Sequence, residues 1–314
     1  MFKNCFRFWF LASALFFSGH FSAFGSPVLE SVTAAKNIKI VDAHMHLTGE
    51  AGSVILERMD RNGVASGGAV GGLRPNGPKA MKEALGHRYI AALGQAEFQS
   101  VFMLKGVAGL SDLTDPSFVR LFEAAEKALA DKTARGFGEI HVSNMKSGVR
   151  SGIQLNISFK TPVVQKMYEV ANRYGGFIQV HAEGLENQQE IRRVALDYPQ
   201  ATTVLAHCLP YSNAGYVRQL LKEVPNLMCE LSATGPVHGN RRVFSEDGPR
   251  ADWLRLIEDF PDRFMLGTDP CCGLAQRYDE MILEFRVLLL PYLSSSTMKM
   301  VAYSNAKKFF ELED

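Results

Sequence analysis

Eight short runs of β-branched and other apolar residues recur along this chain, with longer amphipathic stretches between them. No other feature of the sequence restricts the fold so strongly. The runs fall at 38–47, 64–70, 88–94, 137–142, 177–182, 202–208, 226–232 and 263–269. Helices are expected over 50–61, 116–134, 162–173, 187–198, 212–223, 249–260, 277–291 and 297–311, where good helix formers carry an apolar stripe. Strands alternating with helices build a parallel sheet, because each parallel connection must cross back over it. Eight such units over roughly 275 residues suit a closed α/β barrel, the (β/α)8 or TIM barrel. An open doubly wound sheet shares the alternation and is the competing architecture.

The N-terminus departs from this pattern. Residues 1–25 hold 8 of the 21 Phe and no acidic residue. Lys3 and Arg7 precede an apolar run from Phe8 to Phe17, and Ala23 and Gly25 supply small residues beyond it. This is the layout of a secretory leader cleaved after Gly25. The run of 10 residues is shorter than the roughly 20 that span a bilayer. A retained anchor is the alternative. Cleavage leaves 26–314 as a single domain, exported to a periplasm or the exterior, with no membrane span. The charge excludes another class of function. With 34 basic and 33 acidic residues the net charge is +1, too little for a dedicated nucleic-acid binder.

Five of the eight runs carry a potential metal ligand at or near the C-terminal end. These are His44 and His46, then Glu139, His181, His207 and Asp269. Side chains alternate along a strand, so His44 and His46 share a face. A parallel barrel brings the C-terminal ends of its strands to one mouth, where such barrels do their chemistry. Four imidazoles and two carboxylates are donors that Zn²⁺ accepts, in one or two ions, with Mn²⁺ as an alternative. Asp42 shares the face of His44 and either orients a ligand or closes the barrel floor. Glu230 points either inward or toward the helices. Glu183 and His141 each lie two residues beyond a proposed ligand, in reach of a substrate. Arg241 and Arg242 follow the seventh run and suit an anionic substrate. The Gly-rich tract 66–79 lacks the spacing of a phosphate loop and reads as a flexible lid.

The motifs resemble the amidohydrolase superfamily of metal-dependent hydrolases. VDAHMH at 41–46 matches its opening motif, GTD at 267–269 its last ligand, and YSNAKKFF at 303–310 the ending of its amidohydrolase-related branch. MDRNGV at 59–64 points to the same branch, which includes lactonases, other C–O and C–N hydrolases and nonoxidative decarboxylases. GEI at 138–140 resembles the TatD-type deoxyribonucleases, but Gly267 and the His181-Ala182-Glu183 segment depart from their pattern. The resemblance implies that His44, His46 and Asp269 hold one ion, that His181 and His207 hold a second, and that Glu139 bridges them. It also implies that Asp269 moves the proton of an attacking water. In a one-ion site His44, His46, Asp269 and His181 are the ligands, and His207 orients or protonates substrate. The implied function is hydrolysis of a small ester, lactone, amide or phosphoester. Nonoxidative decarboxylation and non-catalytic metal or ligand binding are the alternatives.

Four cysteines remain after the leader. Cys208 and Cys229 are expected on neighbouring strands facing the helix layer, as buried free thiols by default and as a disulfide if the register permits. Cys271 and Cys272 follow Asp269-Pro270 at the mouth, as loop packing or as soft ligands.

Overall fold

The computed structural model describes residues 27–46, 51–71, 77–146, 153–183 and 187–313. The expected leader lies outside the described residues, as does the stretch 72–76 of the expected lid. Among the described residues no helix is long and apolar enough to cross a membrane.

All eight expected strands form and run parallel. They are β1 (Ile40–Asp42), β2 (Val64–Gly68), a third split at Ala91 into β3 (Tyr89–Ile90) and β4 (Ala92–Gly94), then β5 (Gly136–His141), β6 (Phe177–His181), β7 (Thr202–Leu205), β8 (Leu227–Glu230) and, after two short strands β9 (Phe244–Ser245) and β10 (Gly248–Pro249), β11 (Phe264–Met265). Pairing runs β1-β2-β3 and then β4-β5-β6-β7-β8-β11. The ring closes where Ala43 N–H donates to Leu266 O at 2.9 Å and Asp269 N–H donates to His44 O at 2.7 Å. These bonds decide between the two architectures: the chain is a (β/α)8 barrel.

Helices cover the outside because their stripes match the sheet's apolar outer face. In α5 (Pro116–Ala130) the buried residues Phe118, Leu121, Phe122, Ala125 and Leu129 keep to one side. Pro116 opens that helix, and the Asp115 carboxylate caps it by accepting from Ser117 N–H. Three helices go beyond the sequence reading: α1 (Leu29–Asn37), which precedes the expected α2 (Gly52–Arg61), then α3 (Gly77–Leu85) and α4 (Gln95–Gly109). The tract read as loop over 66–79 therefore ends inside α3 and begins inside β2. In α4, Phe98 and Val101 are buried while Met103, Leu104 and Val107 are exposed. Apolar residues on both faces leave no periodic signal.

The barrel's interior holds a small apolar layer that includes Val41, Ala92, Phe177, Val204, Met228 and Met265. Phe310 closes this floor, with its ring 5.4 Å from that of Phe177. In the same C-terminal motif, Asn305 donates to the carbonyls of Pro261 and Phe264 and ties the last helix under β11. Polar side chains are thus left to the opposite, C-terminal end of the barrel.

Cys208 and Cys229 are joined in a disulfide, with Cα atoms 4.6 Å apart, rather than left as free thiols. The register supplies the reason. Leu205 of β7 faces Cys229 of β8, and the turn after β7 swings Cys208 back over its neighbour. In that turn His207, Cys208 and Leu209 all take left-handed φ, at 54°, 48° and 59°. Such a run is costly for residues with side chains and is found where function or a covalent tie imposes it.

Candidate metal centre

All six expected ligands converge on the barrel mouth, each less than a tenth exposed. Each stands at or near the C-terminal end of a barrel strand or just past it, Glu139 two residues before the end of β5. The Nε2 atoms of His44 and His46 are 3.2 Å apart. Glu139 Oε2 lies 3.6 Å from the first and 3.5 Å from the second. Asp269 Oδ1 lies 3.6 Å and 3.4 Å from the same two atoms. Donors at 2.0–2.2 Å from a tetrahedral ion are separated by 1.63 times that length, roughly 3.3–3.6 Å. His44, His46 and Asp269 thus stand at ligand spacing from one another and form a cradle, and Glu139 stands at the same spacing from both imidazoles. Asp269 Oδ1 is buried and accepts no hydrogen bond, as a ligand oxygen awaiting a cation would be.

The other oxygen of Glu139 faces a second group. Oε1 lies 2.9 Å from His181 Nδ1 and 3.3 Å from His207 Nε2. One carboxylate thus reaches both halves of the cluster.

Glu230 decides how the imidazoles present their nitrogens. Fully buried, it accepts from His44 Nδ1 at 2.8 Å, His207 N–H at 2.7 Å, Ser232 Oγ at 2.9 Å and Ser232 N–H at 2.8 Å. A carboxylate only accepts, so His44 carries its proton on Nδ1 and turns the lone pair of Nε2 into the cradle. The Ser232 hydroxyl gives its hydrogen to Glu230 and therefore accepts from His207 Nδ1, 2.8 Å away. That leaves the His207 Nε2 lone pair facing the cluster. This outer layer is how metal-binding histidines are usually oriented.

Burial opposes charge on His44, but Glu230, Glu139 and Asp269 together push its pKa well above the ordinary value. His181 is likewise moved from its burial-lowered range up to about 9 by hydrogen bonds to Glu139 and Glu183. Burial pushes Glu230 up, yet His44 and the surrounding donors bring it down to about 2. Three carboxylates facing four imidazoles set up a field that favours positive charge, as a divalent cation would bring.

Several neighbours hold the cradle in place. The Asp42 carboxylate accepts from Thr268 N–H at 2.9 Å, Thr268 Oγ1 at 2.5 Å and Tyr278 Oη at 3.1 Å, tying β1 to the eighth strand's end. Gly267 has no room for a side chain: a Cβ there would stand 2.7 Å from His44 Cβ and run into the Glu230 carboxylate. His238 Nε2 donates to the Asp269 carbonyl at 3.1 Å.

The expected substrate residues divide. His141 Nε2 lies 3.2 Å from Glu139 Oε2, and Asn144 holds its ring by donating to Nδ1 at 3.1 Å. Glu183 is buried beside His181, 3.7 Å from its Nε2, and accepts from Lys146 N–H. Both line the cluster. The two arginines turn elsewhere. Arg241 pairs with Glu246 at the surface. Arg242 packs 4.7 Å over the Trp253 ring and donates to the carbonyls of His207 and Ser212, bracing the turn after β7. Glu230, left open by the sequence, is the member it did not settle. Its cue is its place at the end of the seventh run, which by itself does not orient the side chain.

A family model described as Amidohydrolase matches residues 41–312. The chain belongs to the amidohydrolase family. Solved structures resemble this amidohydrolase over nearly their whole length at low identity. An uncharacterized TIM-barrel protein from Bordetella bronchiseptica shares 16% identity with a TM-score of 0.55, covering 88% of this chain and 99% of that one. A TatD homologue from Escherichia coli K12 shares 16% identity with a TM-score of 0.53, covering 87% and 98%. A 2,6-dihydroxybenzoate decarboxylase from Rhizobium shares 13% identity with a TM-score of 0.50, covering 88% and 100%. These likenesses concern the fold. No curated protein matches the chain. The donor clusters, His44-His46-Asp269 and Glu139-His141-His181 among them, give the amidohydrolase a candidate site for a divalent metal.

Proposed function

We propose that this amidohydrolase is a metal-dependent hydrolase acting on a small ester, lactone, amide or phosphoester. One observation carries the reading: the buried, unpartnered Asp269 Oδ1 stands at ligand spacing from the Nε2 atoms of His44, which Glu230 orients, and of His46. His44, His46, Glu139 and Asp269 would hold an ion, with His181 and His207 offering donors to a second through Glu139. Nitrogen and oxygen donors at tetrahedral spacing favour zinc. Such an ion polarises a carbonyl or phosphoryl oxygen and makes water acidic enough to attack at neutral pH. The chain's residues do the rest. Asp269 takes the proton of the attacking water and returns it to the leaving group. Where one ion is held, His207, fixed by Ser232, is free to orient the substrate's reacting group. His141 and Glu183 line the approach and select its shape.

The leader reading belongs with this proposal. A disulfide between Cys208 and Cys229 suits an exported enzyme, since thiols stay reduced in most cytosols. N-terminal sequencing of the natural protein should begin at Ser26.

Metal analysis of the purified protein, joined to turnover of ester, lactone, amide and phosphoester panels, tests the function. His44→Ala and Asp269→Asn should each abolish turnover and leave the far-UV spectrum unchanged. Wild-type turnover in both would overturn the site. Release of CO₂ from an aromatic acid, with no water added, would replace hydrolysis by decarboxylation, the reaction named for the Rhizobium neighbour.

A further inference from the structure

Outside the Cys208–Cys229 bridge two thiols remain, and they are neighbours in the chain. Cys271 and Cys272 follow Asp269-Pro270 at the end of the eighth barrel strand, the first half-buried and the second exposed. Their Sγ atoms are 2.6 Å apart, well inside the contact distance of unbonded sulfurs. The turn that holds them is anchored on the candidate ligand itself. Cys271 N–H donates to the Asp269 carbonyl at 2.8 Å, and Leu274 N–H donates to Cys271 O at 2.9 Å.

We propose that Cys271 and Cys272 form a reversible disulfide, closed by a small disulfide oxidant, that sets the Asp269 segment and with it the cradle's hold on its ion. The coupling to the ion rests on the metal-centre reading; the bridge itself does not. Consecutive Cα atoms lie about 3.8 Å apart across a trans peptide. A relaxed disulfide spans roughly 4.4–6.8 Å between Cα atoms. A bridge between neighbours is therefore strained, and strained exposed bridges are the ones readily reduced. Cys208–Cys229 contrasts with it: at 4.6 Å it lies within the relaxed range, and both residues are fully buried. One pair is built to persist and the other to respond.

The chemistry balances with oxidised glutathione as the oxidant. Exposed Cys272 gives its proton to solvent, and its thiolate attacks one glutathione sulfur and expels the other as thiolate. Cys271 then loses its proton and attacks Cys272 Sγ, breaking the mixed disulfide and expelling the second glutathione. Two protein thiols are oxidised to one disulfide, and one oxidised glutathione becomes two reduced ones. Ring closure strains the Cys271–Cys272 peptide, whose Cys271 N–H is bonded to the Asp269 carbonyl, and so reaches the Asp269 segment.

The test equilibrates the whole protein in glutathione redox buffers, traps free thiols by alkylation and maps peptide masses. Loss of two hydrogens from the peptide holding Cys271 and Cys272, reversed by native dithiothreitol with Cys208–Cys229 intact, is expected. Cys271→Ser should hold glutathione on exposed Cys272 and form no ring. Persistent glutathione adducts on the wild type, or cross-linked dimers, would overturn the bridge. Chelator competition should show zinc held about tenfold more weakly by the oxidised form, the lower end of what outer-layer changes do to metal sites. Equal affinity in both forms, with the ring closed, would overturn the coupling. No zinc binding in either form would refute the metal-centre reading and the coupling together, leaving the mass measurement to judge the bridge alone.

Discussion

Replacing Glu230 by Gln changes one atom at the position on which two imidazoles depend. Oε1 receives three donors, His44 Nδ1, His207 N–H and Ser232 Oγ, while Oε2 receives Ser232 N–H alone. The amide can therefore keep its oxygen where Oε1 stood. Its NH₂ must then face Ser232 N–H, two donors in a site with no solvent. A buried donor left without a partner costs about 1–3 kcal/mol, so a destabilisation of that order is expected. An effect of similar size falls on the metal. Without the charge, the bond from His44 Nδ1 weakens and the lone pair of Nε2 is no longer held toward the cradle. Changes in this outer layer lower metal affinity about 10–100-fold, which is about 1.4–2.7 kcal/mol. Glu230→Ala leaves all four donors unanswered and should cost about 3–5 kcal/mol of stability, as broken buried charge pairs do. Chelator competition with zinc and thermal melts of the apoprotein read the two effects separately. If Glu230→Gln bound zinc as tightly as wild type and melted at the same temperature, the ordering role given to this carboxylate would be refuted.

Two further outcomes follow from groups away from the cradle. Burial pushes Glu284 up to about 7, against the hydrogen bond it accepts from Val237 N–H and the charge of Arg277. Between about pH 4.5 and 7 the folded state binds more protons there than the unfolded state, so stability falls as pH rises through that window. Glu284→Gln should match wild type near pH 4 and melt a few degrees higher at pH 8; equal melting temperatures at pH 8 would remove Glu284 from this account. Separately, Cys208→Ser/Cys229→Ser opens a loop closed across a separation of 21 residues, and chain-entropy estimates give a loss of about 3 kcal/mol, measurable by urea unfolding. A loss under about 1 kcal/mol would show that the strands hold this register without the bond.

Much of the architecture was legible because it depends on local periodicity. Buried parallel strands need unbroken apolar runs, and covering helices need a stripe, so all eight strands and most helices showed in the residue pattern. The helix α4 did not, since Met103, Leu104 and Val107 on its outer side blur the contrast a stripe requires. The six candidate ligands were legible for another reason. Strand ends all meet at one mouth, so polar residues recurring at that place in run after run had to be near one another whatever the loops do.

Orientation and exchange of partners were beyond the sequence. Glu230 could face either way until β8 was seated between β7 and β11, where the space left by Gly267 admits its carboxylate beside His44. Arg242, read as a contact for an anion, turns to the His207 carbonyl because Trp253 packs beneath its guanidinium. Closure of the ring itself rests on two backbone bonds between residues more than two hundred positions apart. Residue order determined which side chains reach the mouth. Only the closed barrel decided which nitrogens of His44 and His207 look inward, because that choice belongs to Glu230 and Ser232, hydrogen-bond partners carried by another strand.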